Sequence, residues 1–249
     1  MTKKIWITGA SSGIGRALAI KFSNEGWQVA ASARRENLLS DLSKSYPNIH
    51  SYPLNVNDEK AVKNIFQNIL EKFETLDTCV FATGIHDPTA EKKLNLEKIR
   101  EIMETNFFGT LNCIMAVNSF FREKKNGHIA LVSSVAGYRG LPAASGYCAS
   151  KAALTSLAES LYFDFKRKNV KVSLISPGFI KTPMTDQNTF SMPMIKSPKY
   201  AAEKIFIGLT KKNAFEIHFP KSFTFFLKLL KIMPNWLFFW LVEKGIKRF

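Results

Sequence analysis

The sequence predicts an α/β fold, a doubly wound parallel sheet of Rossmann type, on three observations. Short apolar runs alternate with longer helical stretches along the whole chain. Those runs are apolar throughout rather than at every second residue, as strands are when helices cover both faces of a sheet. The first run leads directly into a glycine-rich turn, TGASSGIG, and then into a helical pattern. A length of 249 residues suits one such domain.

In chain order the expected strands are KIWIT (4–8), QVAASA (28–33), TCVFA (78–82), HIALVS (128–133) and VKVSLIS (170–176). Helical stretches of the length that right-handed crossovers require separate them. Ligands of such sheets sit beyond the carboxyl ends of the strands, near the point where the strand order reverses. The chemistry is therefore sought in the residues that follow each strand.

After KIWIT, Gly9, Gly13 and Gly15 bracket a tight turn that lets a phosphate approach free backbone N–H groups, and Ser11 and Ser12 add hydroxyl donors. The spacing differs from G-x-G-x-x-G, so the loop does not identify a dinucleotide site by itself. After QVAASA come Arg34 and Arg35, about 20 residues beyond the loop, where an acidic residue would bind the ribose of NAD. A carboxylate repels a 2′-phosphate, whereas a guanidinium pairs with it through two hydrogen bonds. NADP(H) is therefore the expected cofactor, with Arg34 the stronger candidate. For Arg35 a solvated first-turn position is an equal reading.

After HIALVS come Ser134 and then a helix carrying Tyr147 and Lys151, four residues apart and so on one face. A tyrosine of ordinary pKa near ~10 is a poor acid–base group at neutral pH. A neighbouring ammonium favours the phenolate, and Ser134 can donate to a carbonyl oxygen. This set suits hydride transfer at carbon coupled to proton transfer at oxygen.

The motifs TGASSGIG and YCASK, with Ser134 thirteen residues before Tyr147, resemble those of the short-chain dehydrogenase/reductase family. TNFFG resembles the segment that supplies the family's asparagine, here Asn106, and SPGFIKT the segment after the sixth strand. The similarity runs from about residue 4 to 210. It implies that Tyr147 is the acid–base, that Lys151 lowers its pKa and binds the nicotinamide ribose, and that Ser134 orients the substrate oxygen. Asn106 would complete a proton relay. The cofactor would also meet Ile14, Asn55, Val56 and Gly84. Pro177, Gly178, Ile180 and Thr182 would lie at the nicotinamide end. Two departures stand out: FATG (81–84) replaces the family's NNAG, losing an asparagine that braces the sheet, and Asn55 replaces the usual aspartate beside the adenine.

The segment after Gly178 offers Met184, Phe190, Met192 and Met194, flexible or aromatic side chains that suit an irregular apolar ligand or, equally, a loop packed on its own core. A lipophilic carbonyl or alcohol is the expected substrate. Residues 1–218 are expected to form the catalytic domain and 219–249 an amphipathic helical extension. The extension carries nine aromatic, six basic and one acidic residue. Phe223, Phe226, Leu227 and Leu230 sit at helical spacing with Lys228 elsewhere on the wheel, and Trp236 to Val242 is apolar all round. An anionic membrane surface is one reading; a dimer-forming or core-covering extension is an equal one. No short terminal strand of the kind used in the family's tetramers is evident, and a homodimer is expected.

The net charge of +15 draws anionic partners. Nucleic acid is not expected, because the aromatics cluster in one apolar block instead of interleaving along a basic groove. Cys79, Cys113 and Cys148 have no ligand spacing, which argues against a disulfide framework or structural zinc. His50, His86, His128 and His218 are scattered, form no metal pair, and read as structural or surface residues. The start, MTKKIWITGA, has no signal-peptide pattern, and no run reaches the ~18 apolar residues of a spanning helix. The expected location is cytoplasmic, or peripheral on a membrane. The expected activity is NADPH-dependent carbonyl–alcohol interconversion; the alternative is a membrane-associated NADP(H) sensor or scaffold with little turnover.

Overall fold

A computed structural model describes residues 2–188 and 191–246. Seven parallel strands form one sheet in the order β3-β2-β1-β4-β5-β6-β7. The five expected strands are β1 (Lys4–Thr8), β2 (Gln28–Ala33), β4 (Thr78–Phe81), β5 (Gly127–Val132) and β6 (Val170–Pro177). The two edge strands, β3 (Ile49–Pro53) and β7 (Glu216–Phe219), were not marked by any apolar run, although the family's strand count implied one before TCVFA. An edge strand needs only one neighbour and no continuous apolar run, so IHSYP and EIHF carry a weak signal.

Successive side chains of each strand enter opposite layers. Ile5 and Ile7 pack into one core, with Leu18 and Phe22 of α1 (Gly13–Asn24), Leu39 and Leu42 of α2 (Glu36–Ser45), and Ile205 of α8 (Pro198–Ile207). Trp6, between them, packs into the other, with Phe66 of α3 (Glu59–Phe73), Val117 of α6 (Gly109–Lys124) and Leu154 of α7 (Ser145–Lys166). Both faces are thus covered, which is why the inner strands read as unbroken apolar runs. Short helices α4 (Pro88–Lys92) and α5 (Leu96–Met103) follow β4, and a π-helical turn over Glu104–Phe108 joins α5 to α6.

The strand order reverses between β1 and β4, and their carboxyl-end loops meet there. A Cβ on Gly9 would stand 2.8 Å from the Ala82 carbonyl carbon, and its φ of 69° is one that glycine adopts freely. Beyond β7, α9 (Lys221–Ile232) and α10 (Asn235–Ile246) fold back beside the carboxyl ends of β6 and β7. Phe219 ends β7 and is buried, so the helical extension begins after it. Among the described residues no helix is long and apolar enough to cross a membrane.

Candidate active site

A cleft of about 440 Å³ opens at the reversal point. At its glycine-loop end, the Arg35 Nη2 donates to Ser11 Oγ at 2.8 Å and to Ser12 Oγ at 2.5 Å, with Nε also on Ser11 at 3.1 Å. Arg34 lines the same wall and is exposed. The guanidinium that reaches the loop is therefore that of Arg35, the arginine with the weaker claim on sequence grounds. The loop itself is closed tightly, since a Cβ on Gly15 would fall 2.3 Å from the Gly9 carbonyl oxygen. Ile14, Asn55, Val56 and Gly84 also line the cleft, as do Pro177, Gly178, Ile180 and Thr182. Thr182 bends back over the loop, with its methyl 3.0 Å from where a Gly13 Cβ would stand.

At the other end, Ser134 caps a single 3-10 turn, its Oγ accepting from Ala136 N at 3.1 Å. Tyr147 and Lys151 stand one turn apart on α7, and all three line the cleft. Tyr147 is half-buried and opens onto the cleft. Burial pushes its phenol up to about 12, while a hydrogen bond with Ser134 draws the other way. The Lys151 ammonium, expected to lower the phenol, is not among the groups that set it; only Ser134 opposes the burial. Lys151 Nζ donates to the Val132 carbonyl at 3.0 Å and lies 5.6 Å from the Tyr147 ring centre. Burial brings Lys151 itself down to about 8.

Asn106 lies in the π-helical turn, fully buried behind the cleft wall. Its amide grips the backbone of Ile85, accepting from N–H at 2.7 Å and donating to C=O at 3.0 Å, and also donates to Ser150 at 3.0 Å. This clamp, together with Thr8 Oγ1 accepting from Ala82 N at 3.2 Å, holds the loop that lacks the bracing asparagine. Of the expected substrate residues, Met184 lines the cleft. Met192 and Met194 lie outside its wall: Asn188 donates to the Met192 sulfur at 3.3 Å, and Met194 touches Ser222 of α9. Phe190 lies outside the described residues.

Two features escaped the sequence reading. His86 lines the cleft beside Tyr147, with ring centres 4.6 Å apart. No spacing pattern marked it, because its partner Glu91 sits on a short helix of no apolar period. The second is the set of contacts by which the extension docks, a core-covering extension being one of the expected readings. Arg139, just beyond the Ser134 turn, donates to the carbonyl oxygens of Leu230 and Met233 at 2.7 and 2.8 Å and stacks on Phe238 at 4.0 Å. Tyr138 donates to Glu216 at 2.5 Å, and Lys228 pairs with the same carboxylate. Lys228 thus faces inward, where the half-buried Glu216 needs a cation, and Phe226 turns out to solvent.

The family model of the short chain dehydrogenases matches residues 3–193. An uncharacterized oxidoreductase of Myxococcus xanthus is 34% identical over 236 residues, 93% of each chain. The 3-oxoacyl-[acyl-carrier-protein] reductase FabG of Thermotoga maritima is 32% identical over 73% of this chain and 75% of its own. Among solved structures, a short-chain dehydrogenase from Streptomyces avermitilis superposes with a TM-score of 0.84 at 24% identity, covering 100% of this chain and 98% of that one. ElxO with NADP bound does so with a TM-score of 0.79 at 28% identity, covering 88% and 98%. The chain belongs to the short-chain dehydrogenase family, oxidoreductases that use a nicotinamide cofactor on small-molecule substrates.

Proposed function

We propose that this oxidoreductase uses NADPH to interconvert a carbonyl and a secondary alcohol on a lipophilic small molecule, with Tyr147 as the acid–base. The observation that carries the reading is one cleft with an arginine–serine cluster at one end and Ser134, Tyr147 and Lys151 at the other. The residues present fit the cofactor. Gly9 and Gly15 leave backbone where any side chain would intrude, and Arg34 and Arg35 offer cations to a 2′-phosphate. The NADP-bound ElxO supports the same choice. When bound, NADPH supplies hydride to the substrate carbon.

This chain's own residues handle the oxygen. The phenol is protonated at neutral pH and can donate its proton to a carbonyl oxygen that becomes an alkoxide. Ser134 orients that oxygen. The Lys151 ammonium stabilises the phenolate left behind. The name of the Thermotoga relative, a 3-oxoacyl reductase, favours the reducing direction on a chain-bearing carbonyl. Turnover of NADPH with a panel of medium-chain ketones is the test. Oxidation of NADPH with none of them, despite cofactor binding, would refute the reading.

The extension supports a lipid surface as the place of action. Phe225, Phe226, Leu229, Ile232, Trp236 and Phe239 are all exposed, Ile232 to 80% and Trp236 to 72%. Lys221 and Lys231 flank them, and Lys244 covers Trp240 at 4.0 Å. Co-sedimentation with phosphatidylglycerol vesicles but not with phosphatidylcholine ones is expected. Equal behaviour with both, or a dimer formed through this face, would remove the lipid.

A further inference from the structure

The other three histidines are turned to the fold: His50 meets Gln28, His128 meets Ser173, and His218 meets Thr224. His86 differs. Its side chain is 10% exposed, lines the cleft, and has its Nδ1 2.7 Å from Glu91 Oε1. The Glu91 side chain is wholly buried, and its second oxygen accepts from Tyr147 N at 2.9 Å. That N–H belongs to the first turn of α7, where backbone donors lack helical partners and a carboxylate is favoured. Glu91 therefore has a fixed orientation, with one oxygen on the helix that carries Tyr147 and one on the imidazole.

An ionised carboxylate can only accept, so Nδ1 carries the proton of this bond. In its neutral form the ring then presents a lone pair at Nε2. Among the described residues Nε2 has no hydrogen-bond partner, and it is not among the sealed polar atoms. The imidazole thus holds an unused acceptor in the wall of the cleft, a ring's distance from the phenol.

Resting on the carbonyl-reductase reading, we propose that His86, held in this tautomer by Glu91, selects substrates that carry a hydroxyl close to the reacting carbonyl. The carbonyl oxygen meets Tyr147 and Ser134 while the neighbouring hydroxyl donates to Nε2. Glu91 is a positioning residue: it acts through the imidazole.

The test compares kcat/KM for medium-chain ketones bearing a hydroxyl on the α or β carbon with that for the same ketone lacking it. One hydrogen bond predicts a preference of about tenfold for a hydroxy ketone in the wild type. His86→Phe keeps a ring against Tyr147 and removes the acceptor, so the ratio should fall to near one. Because that variant leaves a buried carboxylate with one partner fewer, Glu91→Gln provides the second measurement. Its amide oxygen must serve Tyr147 N–H, leaving its NH₂ to donate to Nδ1. That moves the imidazole proton to Nε2, so the ring donates instead of accepting: a hydroxyl can still pair with it, but the matching methoxy ketone, which only accepts, should gain over the parent ketone in this variant and not in the wild type. A purely structural role would change both ketones alike and leave the ratio untouched. A wild type without the preference, a His86→Phe variant that retains it, or a Glu91→Gln variant that gains nothing on the methoxy ketone overturns the assignment while the carbonyl-reductase reading stands. A wild type that binds NADPH but reduces no ketone of either kind overturns that reading, and this assignment with it.

Discussion

The two rims of the cleft are built by different means. The glycine-loop rim is made of backbone: Gly9 and Gly15 hold it closed against its own carbonyls and those of Ala82, and Arg35 reaches only 24 residues back to Ser11. Behind the opposite rim, outside the cleft wall, the support is made of side chains from remote parts of the chain. Arg139 there grips residues more than 90 positions away in α9 and α10, and Tyr138 meets Glu216 across 78. A backbone rim tolerates little change and serves an invariant ligand. A side-chain rim can be rebuilt for a new substrate while the sheet stays as it is.

The largest effect is expected where the rims meet. Tyr147→Phe should lower turnover by about 10³-fold, the scale of a lost general acid, while NADPH still binds by fluorescence titration. Loss of binding in that variant would mean that the phenol belongs to the cofactor rim instead. Lys151 offers a pH readout of the same junction. Its pKa is lowered to about 8, so the ammonium is present below that value and lost above it, while the phenol keeps its proton until about 12. The reductive kcat/KM should therefore fall as pH rises through about 8. A profile flat across that value would show that the ammonium is not needed.

On the cofactor rim, Arg35→Ala should weaken NADPH by about 10–100-fold, as for a lost charge-assisted contact, and NADH much less. If Arg34→Ala does this and Arg35→Ala does not, the serine contacts seen here only park the guanidinium. The smallest effect is expected on the side-chain rim. Arg139→Ala should lower Tm by several degrees, at about 2–4 °C for each kcal/mol in a chain of this size. It should raise KM for the ketone and leave NADPH affinity close to wild type. Equal effects on both ligands would dissolve the distinction between the rims.

The residues that the sequence marked on the cofactor rim line one cleft, because most of them follow inner strands that are easily read; Asn55 and Val56, which follow the edge strand β3, were marked by the family resemblance. The edge strands β3 and β7 were not legible as apolar runs, since one neighbour suffices for them and IHSYP and EIHF need no apolar run. Met192 and Met194 were expected as substrate-pocket residues from their residue type and their place after Gly178, and stand outside the cleft wall. His86 had no pattern to betray it, for its role depends on Glu91 and on the start of a helix 56 positions beyond that carboxylate.

By itself the sequence determined the layered sheet, the glycine turn and the spacing of Ser134, Tyr147 and Lys151, because strand periodicity, turn chemistry and helix faces depend on near neighbours in the chain. Tertiary structure alone decided which arginine touches the loop, which face of α9 turns inward, and that burial outweighs the Ser134 hydrogen bond in setting the Tyr147 phenol. Those outcomes depend on desolvation and on partners far apart in sequence, and neither exists until the chain has folded.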